Sequence, residues 1–329
     1  TLRFIAANAG GGSAANLMGM AMAREARAPA NEGGVRGDCV VYASDQVHMS
    51  IDKAVALLGV GRRNLRLVAS DDGFRMRTDA LMAAIAEDRA AGKRPFAIVA
   101  SAGTVSTGAI DLLPEIAAIA KANDLWLHVD GAYGALAALA RPDLFEGLAL
   151  ADSLSLDAHK WLYQPLDCGC LLFRDVGAAR AAFSHSGDYV RVTNTDPTEA
   201  FAFFDETIEL SRRFRALKLW MSLQYHGRAA FRDAIALDLR HARMLEELIR
   251  SEPDLELMST GPLSAVCFRH RSADNEALLK RVIERGRIYI SNATIRGAFA
   301  LRACFVNNRT RDEDVRAIVS DVLAAAREA

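Results

Sequence analysis

Net charge is nearly absent from this sequence: Lys+Arg is 40 and Asp+Glu is 41 in 329 residues, a formal balance of −1. Binding nucleic acid through a broad basic surface requires a cationic excess, so that class is excluded. Cysteine is scarce and odd in number: Cys39, Cys168, Cys170, Cys267 and Cys304 include no CxxC pair. Free thiols in a reducing cytoplasm are the simplest reading. No apolar run approaches a membrane span, and no signal peptide is visible. GxGxxG and GxxxxGK[ST] are also missing, which leaves a nucleotide fold little support. Thr1 leads almost at once into a glycine-rich stretch, so the chain reads as a fragment or as lacking an N-terminal portion.

What is present is a rhythm of short β-rich runs and amphipathic helices between residues 38 and 174. Strands are expected at 39–44, 65–70, 96–101, 125–130, 153–158 and 170–174. Helical spacing fills 78–92 and 113–124, where Leu113, Ile116, Ala117 and Ala120 share a face. This predicts an α/β fold with a mostly parallel central sheet covered on both faces. Residues 176–209 are polar and turn-rich and are expected to be a long loop. Two helices follow, 209–227 and 229–251, then strand 264–270, helix 274–286, strands 287–291 and 299–305, and helix 311–327. The predicted organisation is a large domain over 1–227 and a small C-terminal α+β domain over 228–329.

Three expected strand ends carry chemistry: Thr104 after "FAIVAS", Asp130 closing "LWLHVD", and His159-Lys160 after "SLSLDA". Ligands of open parallel sheets bind beyond the carboxyl ends of the strands. Each residue alone also fits a helix cap or a solvated turn. A lysine beside a core strand needs pairing or neutralisation, and in a partly desolvated cationic neighbourhood it becomes an amine nucleophile. The competing reading is a surface lysine with a structural histidine. Gly10-Gly11-Gly12-Ser13 leads into a helix and suits an anion, with a flexible turn as the alternative. His48 opens another helix, where a cap or core role also fits. His128 and Asp130 share a strand face, but two ligands without a third do not make a metal site, and none is expected. An amine, an acid and a phosphate cup together match the needs of pyridoxal phosphate: a lysine for its aldehyde, a carboxylate for its ring nitrogen and a helix N-terminus for its phosphate.

"HVDGAYG" (128–134) and "DAHKWLYQPLDCG" (157–169) resemble the pyridoxal-phosphate-dependent group II decarboxylases, above all the aromatic-L-amino-acid branch. "GGSAANL" (11–17), "YASDQVHMSIDKA" (42–54), "SAGTVSTGAID" (101–111) and "LSRRFRALKLW" (210–220) fit the same family in the same order. The resemblance implies a fold-type-I architecture and a homodimer with active sites at the subunit interface. It implies that Lys160 bonds to the cofactor, Asp130 pairs with its ring nitrogen, His48 stacks on the ring and Ala132 packs on the other face. Gly12, Ser13 and His159 would hold the phosphate, with Thr104 a further pocket residue. The implied activity is decarboxylation of an aromatic L-amino acid to its amine. An oxygen-dependent aldehyde synthase, a glutamate-type decarboxylase, another fold-type-I enzyme and a non-catalytic homologue are the alternatives. In this family a mobile loop supplies a proton-donating tyrosine; its expected place holds Phe203-Phe204, with Tyr189 upstream.

Overall fold

The computed structural model describes residues 5–185 and 202–328. The chain runs β1 (Ile5–Ala9), α1 (Gly12–Arg27), β2 (Cys39–Ser44), α2 (Met49–Leu57), β3 (Leu65–Val68), α3 (Thr78–Ala90), β4 (Arg94–Ser101), α4 (Leu113–Ala122) and β5 (Trp126–Asp130). It continues through β6 (Ser153–Asp157), α5 (Ala158–Trp161), β7 (Gly169–Phe173), α6 (Val176–Phe183) and the long α7 (Arg215–Ser251). The remainder is β8 (Leu255–Thr260), β9 (Ala265–His270), α8 (Asn275–Glu284), β10 (Ser291–Ile295), β11 (Ala298–Cys304) and α9 (Asp312–Arg327).

Seven strands form one sheet in the order β1-β7-β6-β5-β4-β2-β3. β6, β5, β4, β2 and β3 are parallel, while β7 is antiparallel to β6 and β1 antiparallel to β7. The expected mostly parallel sheet is therefore present. Strand alternation feeds two cores. Leu127 and Val129 of β5, with Leu125 just before it, pack with α3, α4 and part of α7, whereas Trp126 joins the α1, α2 and α6 side. His128 and Asp130 follow Trp126 at period two, so they share its side of the sheet, toward α1. A second, antiparallel sheet, β10-β11-β9-β8, is backed by α7, α8 and α9.

Several expected boundaries are corrected. Residues 176–183 are helical, not loop, because Asp175 caps α6 by accepting from the Ala178 N–H. The strand expected at 287–291 starts only at Ser291, and the helix expected from 209 starts at Arg215. β1 and β8 escaped notice: "IAANA" is alanine-rich with little β preference, and "LELMST" follows a helix directly. The expectation of two helices is borne out: α7 is two helical stretches that meet at a kink, where Gly227 (φ 75°) is non-helical. Beyond it, Phe231, Ile235 and Leu239 still pack toward the larger sheet, and the smaller sheet's core takes over from Ala242.

One α7 contact fixes the segment after β6. Asp238 Oδ2 accepts from Trp161 Nε1 (3.1 Å) and from the Tyr163 hydroxyl (2.9 Å). Trp161 is fully buried and stacks on Tyr133 at 5.2 Å between ring centroids. Burial pushes the Asp238 carboxyl up to about 6, and its second oxygen has no hydrogen-bond partner. The folded state thus keeps a proton that the unfolded chain loses near pH 4. Its contribution is favourable below that pH and is lost as pH rises toward 6. Both donors reach one oxygen, which an asparagine carbonyl can replace. We predict that the unfolding free energy of wild type relative to Asp238→Asn falls by roughly 2–3 kcal/mol between pH 4 and 6.5 and is flat above. Urea titrations across that range check it; a pH-independent difference would contradict it.

Candidate active site

The carboxyl ends of β4, β5 and β6 meet the N-termini of α1 and α2 around a cavity of about 430 Å³. Its lining includes each residue expected to hold the cofactor: Gly12, Ser13, His48, Thr104, Asp130, Ala132, His159 and Lys160. Residues scattered over 149 positions are brought together by the parallel topology, whose strand ends all open on the same edge.

α5 is a single turn following Asp157, and burying Trp161 leaves its neighbour Lys160 on the cavity wall. The lysine Nζ lies 3.0 Å from Asp157 Oδ2. This corrects the cationic neighbourhood expected from the sequence: the closest charge is a buried carboxylate. His159 Nδ1 accepts from the Cys168 backbone N–H at 3.2 Å, which leaves the ring proton on Nε2, 3.5 Å from the same Asp157 oxygen. Asp157 Oδ1 is buried without a partner. Such an atom costs on the order of 1–3 kcal/mol unless a ligand or ordered water reaches it.

Asp130 closes β5 with both oxygens engaged. Oδ1 accepts from the Ser155 hydroxyl (3.0 Å) and the Ala132 N–H (3.1 Å), and Oδ2 accepts from Asn16 Nδ2 (2.9 Å). His48 is the N-cap of α2, its Nδ1 accepting from the Ser50 N–H. The capping role considered from sequence is therefore real, and the ring lines the cavity as well. Thr104 also lines it, but its hydroxyl braces its own loop through Thr107 Oγ1 (2.9 Å) and the Ala109 N–H (3.1 Å). His128 faces no ligand cluster: it bonds Ser153 and Asn16, and burial pushes its imidazole down to about 4, so it is neutral.

The glycine run forms the cup. α1 starts at Gly12 with no side-chain cap, no acidic residue in its first turn and two arginines in its last. First-turn N–H groups lack intrahelical acceptors and carry the positive end of the helix dipole. Gly12 must lack a side chain: a Cβ there would stand 2.7 Å from Ala132 Cβ and 2.9 Å from Asp157 Oδ2. Sequence reasoning missed Asn16, Ser155 and Asp157. Asn16 lies one helical turn past Ser13 and Asp157 directly precedes Ala158-His159-Lys160, so spacing could have flagged both. Phe203 and Phe204 lie in a short turn packed near α6 and are not in the lining, and Tyr189 falls outside the described residues.

An amine, a multiply held carboxylate and an anion cup on the strand-end edge of an α/β sheet define an enzyme-type site for a phosphorylated aromatic aldehyde. Its parts fit pyridoxal phosphate: the glycine cradle would take the phosphate, Asp130 would accept from a ring N–H, and Lys160 would supply the amine for the aldehyde. The family model for the pyridoxal-dependent decarboxylase conserved domain matches residues 6–271. An aromatic-L-amino-acid decarboxylase of Bacillus atrophaeus is 36% identical over 97% of this chain and 68% of its own length. A phenylacetaldehyde synthase of Petunia hybrida is 34% identical over 80% of this chain and 56% of its own. The structure of Oryza sativa TDC with PLP and tryptamine superposes with a TM-score of 0.91 at 28% identity, covering 99% of this chain and 70% of that one. The chain belongs to the pyridoxal-dependent decarboxylase family, and it spans roughly half to two thirds of the curated relatives it matches.

Gly12→Ala is expected to displace Ala132 or Asp157, costing about 1–3 kcal/mol by overpacking. Pyridoxal phosphate affinity should fall at least about tenfold; spectroscopic titration with urea unfolding checks both, and wild-type affinity would refute the cradle.

Proposed function

We propose that the protein decarboxylates an aromatic L-amino acid, releasing CO₂ and the corresponding amine. The observation that carries this is the pairing of Lys160 with the thrice-held Asp130 across one cavity, beside the glycine cup. Pyridoxal 5'-phosphate supplies the aldehyde that takes up the substrate amine and a ring that withdraws the electron pair of the breaking bond. Lys160 provides the amine that holds the cofactor and yields to the substrate. Asp130 keeps a negative charge against the ring nitrogen. His48 and Ala132 would flank the ring, Gly12, Ser13 and His159 would receive the phosphate, and Thr104 would border the pocket. Asp157 pairs with the Lys160 ammonium and fixes it in the resting site. The bond from Cα to the carboxylate breaks, CO₂ leaves, and Cα takes a proton. Relatives acting on aromatic amino acids support the substrate class.

The reading extends to a homodimer. Phe214, at the N-cap of α7, and Leu217, Trp220, Met221 and Tyr225 along its first half are exposed, Trp220 to 60% and Tyr225 to 85%. Val105 and Leu166, which line the cavity, are exposed apolar side chains as well. An exposed face of that extent marks an interface, and a second copy there would cover the cavity mouth. In this reading residues 1–227 form the cofactor-binding unit and 228–329 the small unit, and the protein is cytoplasmic. No helix among the described residues is long and apolar enough to cross a membrane.

With an aromatic L-amino acid and pyridoxal phosphate, wild type should release CO₂ and amine in equal amounts without hydrogen peroxide, and Lys160→Ala should lose at least about a thousandfold in rate. Aldehyde with peroxide, or no CO₂, would overturn the assignment. Trp220→Glu should shift the protein to monomer in sedimentation velocity; a wild type already monomeric would refute the dimer.

A further inference from the structure

A buried chain of hydrogen bonds runs from the β5–β6 core to the cavity. Trp126 Nε1 donates to Ser153 Oγ (2.8 Å), and Ser153 Oγ lies 2.8 Å from His128 Nδ1. His128 Nε2 lies 2.9 Å from Asn16 Oδ1. Asn16 Nδ2 then branches, donating to Asp130 Oδ2 (2.9 Å) and to Ser50 Oγ (2.8 Å). Ser50 Oγ is 2.8 Å from His48 Nδ1, and the Ser50 backbone N–H reaches the same nitrogen at 3.3 Å. Trp126, Ser153, His128, Asn16 and Ser50 are all buried to 2% exposure or less.

The proton positions follow from the groups with a single role. A carboxylate only accepts, so the Asn16 amide must turn its NH₂ to Asp130 and its carbonyl to His128. His128 is neutral, so its proton sits on Nε2 and its Nδ1 accepts from the Ser153 hydroxyl, which in turn accepts from the indole N–H. At the other branch, a backbone N–H can only donate, so His48 Nδ1 carries no proton and Nε2 does. Gly19 seals the arrangement from α1: a Cβ there would stand 2.6 Å from the His128 ring.

We propose that Asn16 is a positioning residue that, held by His128, sets the two cavity groups together: Asp130 as an acceptor and His48 as the neutral ring protonated on Nε2. This rests on the reading of the cavity as a pyridoxal phosphate site. Asn16 also lines the cavity, and in this scheme it acts through the two groups it ties together: one amide couples Asp130 to Ser50 and, through Ser50, to His48. Turning or removing that amide disturbs both at once.

The test uses the full chain. In cofactor-free protein, ¹⁵N NMR of the histidine side chains at pH 7 should show His48 and His128 as neutral Nε2–H forms. Asn16→Asp keeps an acceptor for His128 but sets a second carboxyl against Asp130, where the two must repel or share a proton, and it cannot supply the amide's paired donation to Asp130 and Ser50. It should alter the His48 nitrogen shifts and weaken pyridoxal phosphate binding at least about tenfold, the loss of a bond to a charged group. His128→Gln preserves a donor toward Asn16 and an acceptor toward Ser153, so affinity should stay within about threefold. His128→Leu removes both and should match Asn16→Asp, with urea unfolding confirming that each variant is folded. Unchanged His48 shifts in Asn16→Asp, or wild-type affinity in His128→Leu, would overturn the proposal. If wild type itself binds no cofactor, the cofactor reading fails, and the histidine shifts alone still decide the positioning role.

Discussion

The carboxylate of Asp130 must be held as an acceptor at the end of a buried strand, and much of the site is arranged around that need. A carboxylate leaving water at a sheet edge requires donors from several directions. Three elements supply them: Asn16 from α1, Ser155 from β6 and the Ala132 backbone just beyond β5. Meeting that requirement brings the start of α1 against the ends of β5 and β6, and the cup and lysine come with it. Gly12 can approach Ala132 and Asp157 so closely only because it has no side chain.

A second tie comes from the opposite face of the sheet. Trp161 is buried on the α7 side, stacked on Tyr133 and bonded to Asp238, while the adjacent Lys160 lines the cavity. The one-turn helix α5 is too short to be stable alone. Packing of its aromatic neighbour anchors it, and Asp157 pairs with the Lys160 ammonium. Core packing and reactive group are thus linked within four residues.

The strand-helix alternation was legible because β2, β4 and β5 carry apolar runs and β6 alternates serine with leucine, and strand-end position pointed to Thr104, Asp130 and Lys160. The glycine run was legible as the start of a helix, where α1 begins at Gly12 on the cavity. Less visible were features that depend on distant partners. Asp157 looked like a strand residue, and its pairing with Lys160 needed the turn of α5 to appear. Asn16 lies among small and apolar helix residues, and its bonds span 34, 112 and 114 positions in sequence. β1 pairs with β7 across the whole large sheet unit, a contact that alanine-rich sequence does not announce.

The central claim is that Lys160 is the residue that bonds to pyridoxal phosphate. Incubating the protein with the cofactor, reducing with borohydride, and mapping the digested chain by mass spectrometry tests it most directly. The account predicts one added pyridoxyl-phosphate mass on the peptide bearing Lys160. An unmodified Lys160, or the same mass placed on a different lysine, would contradict it.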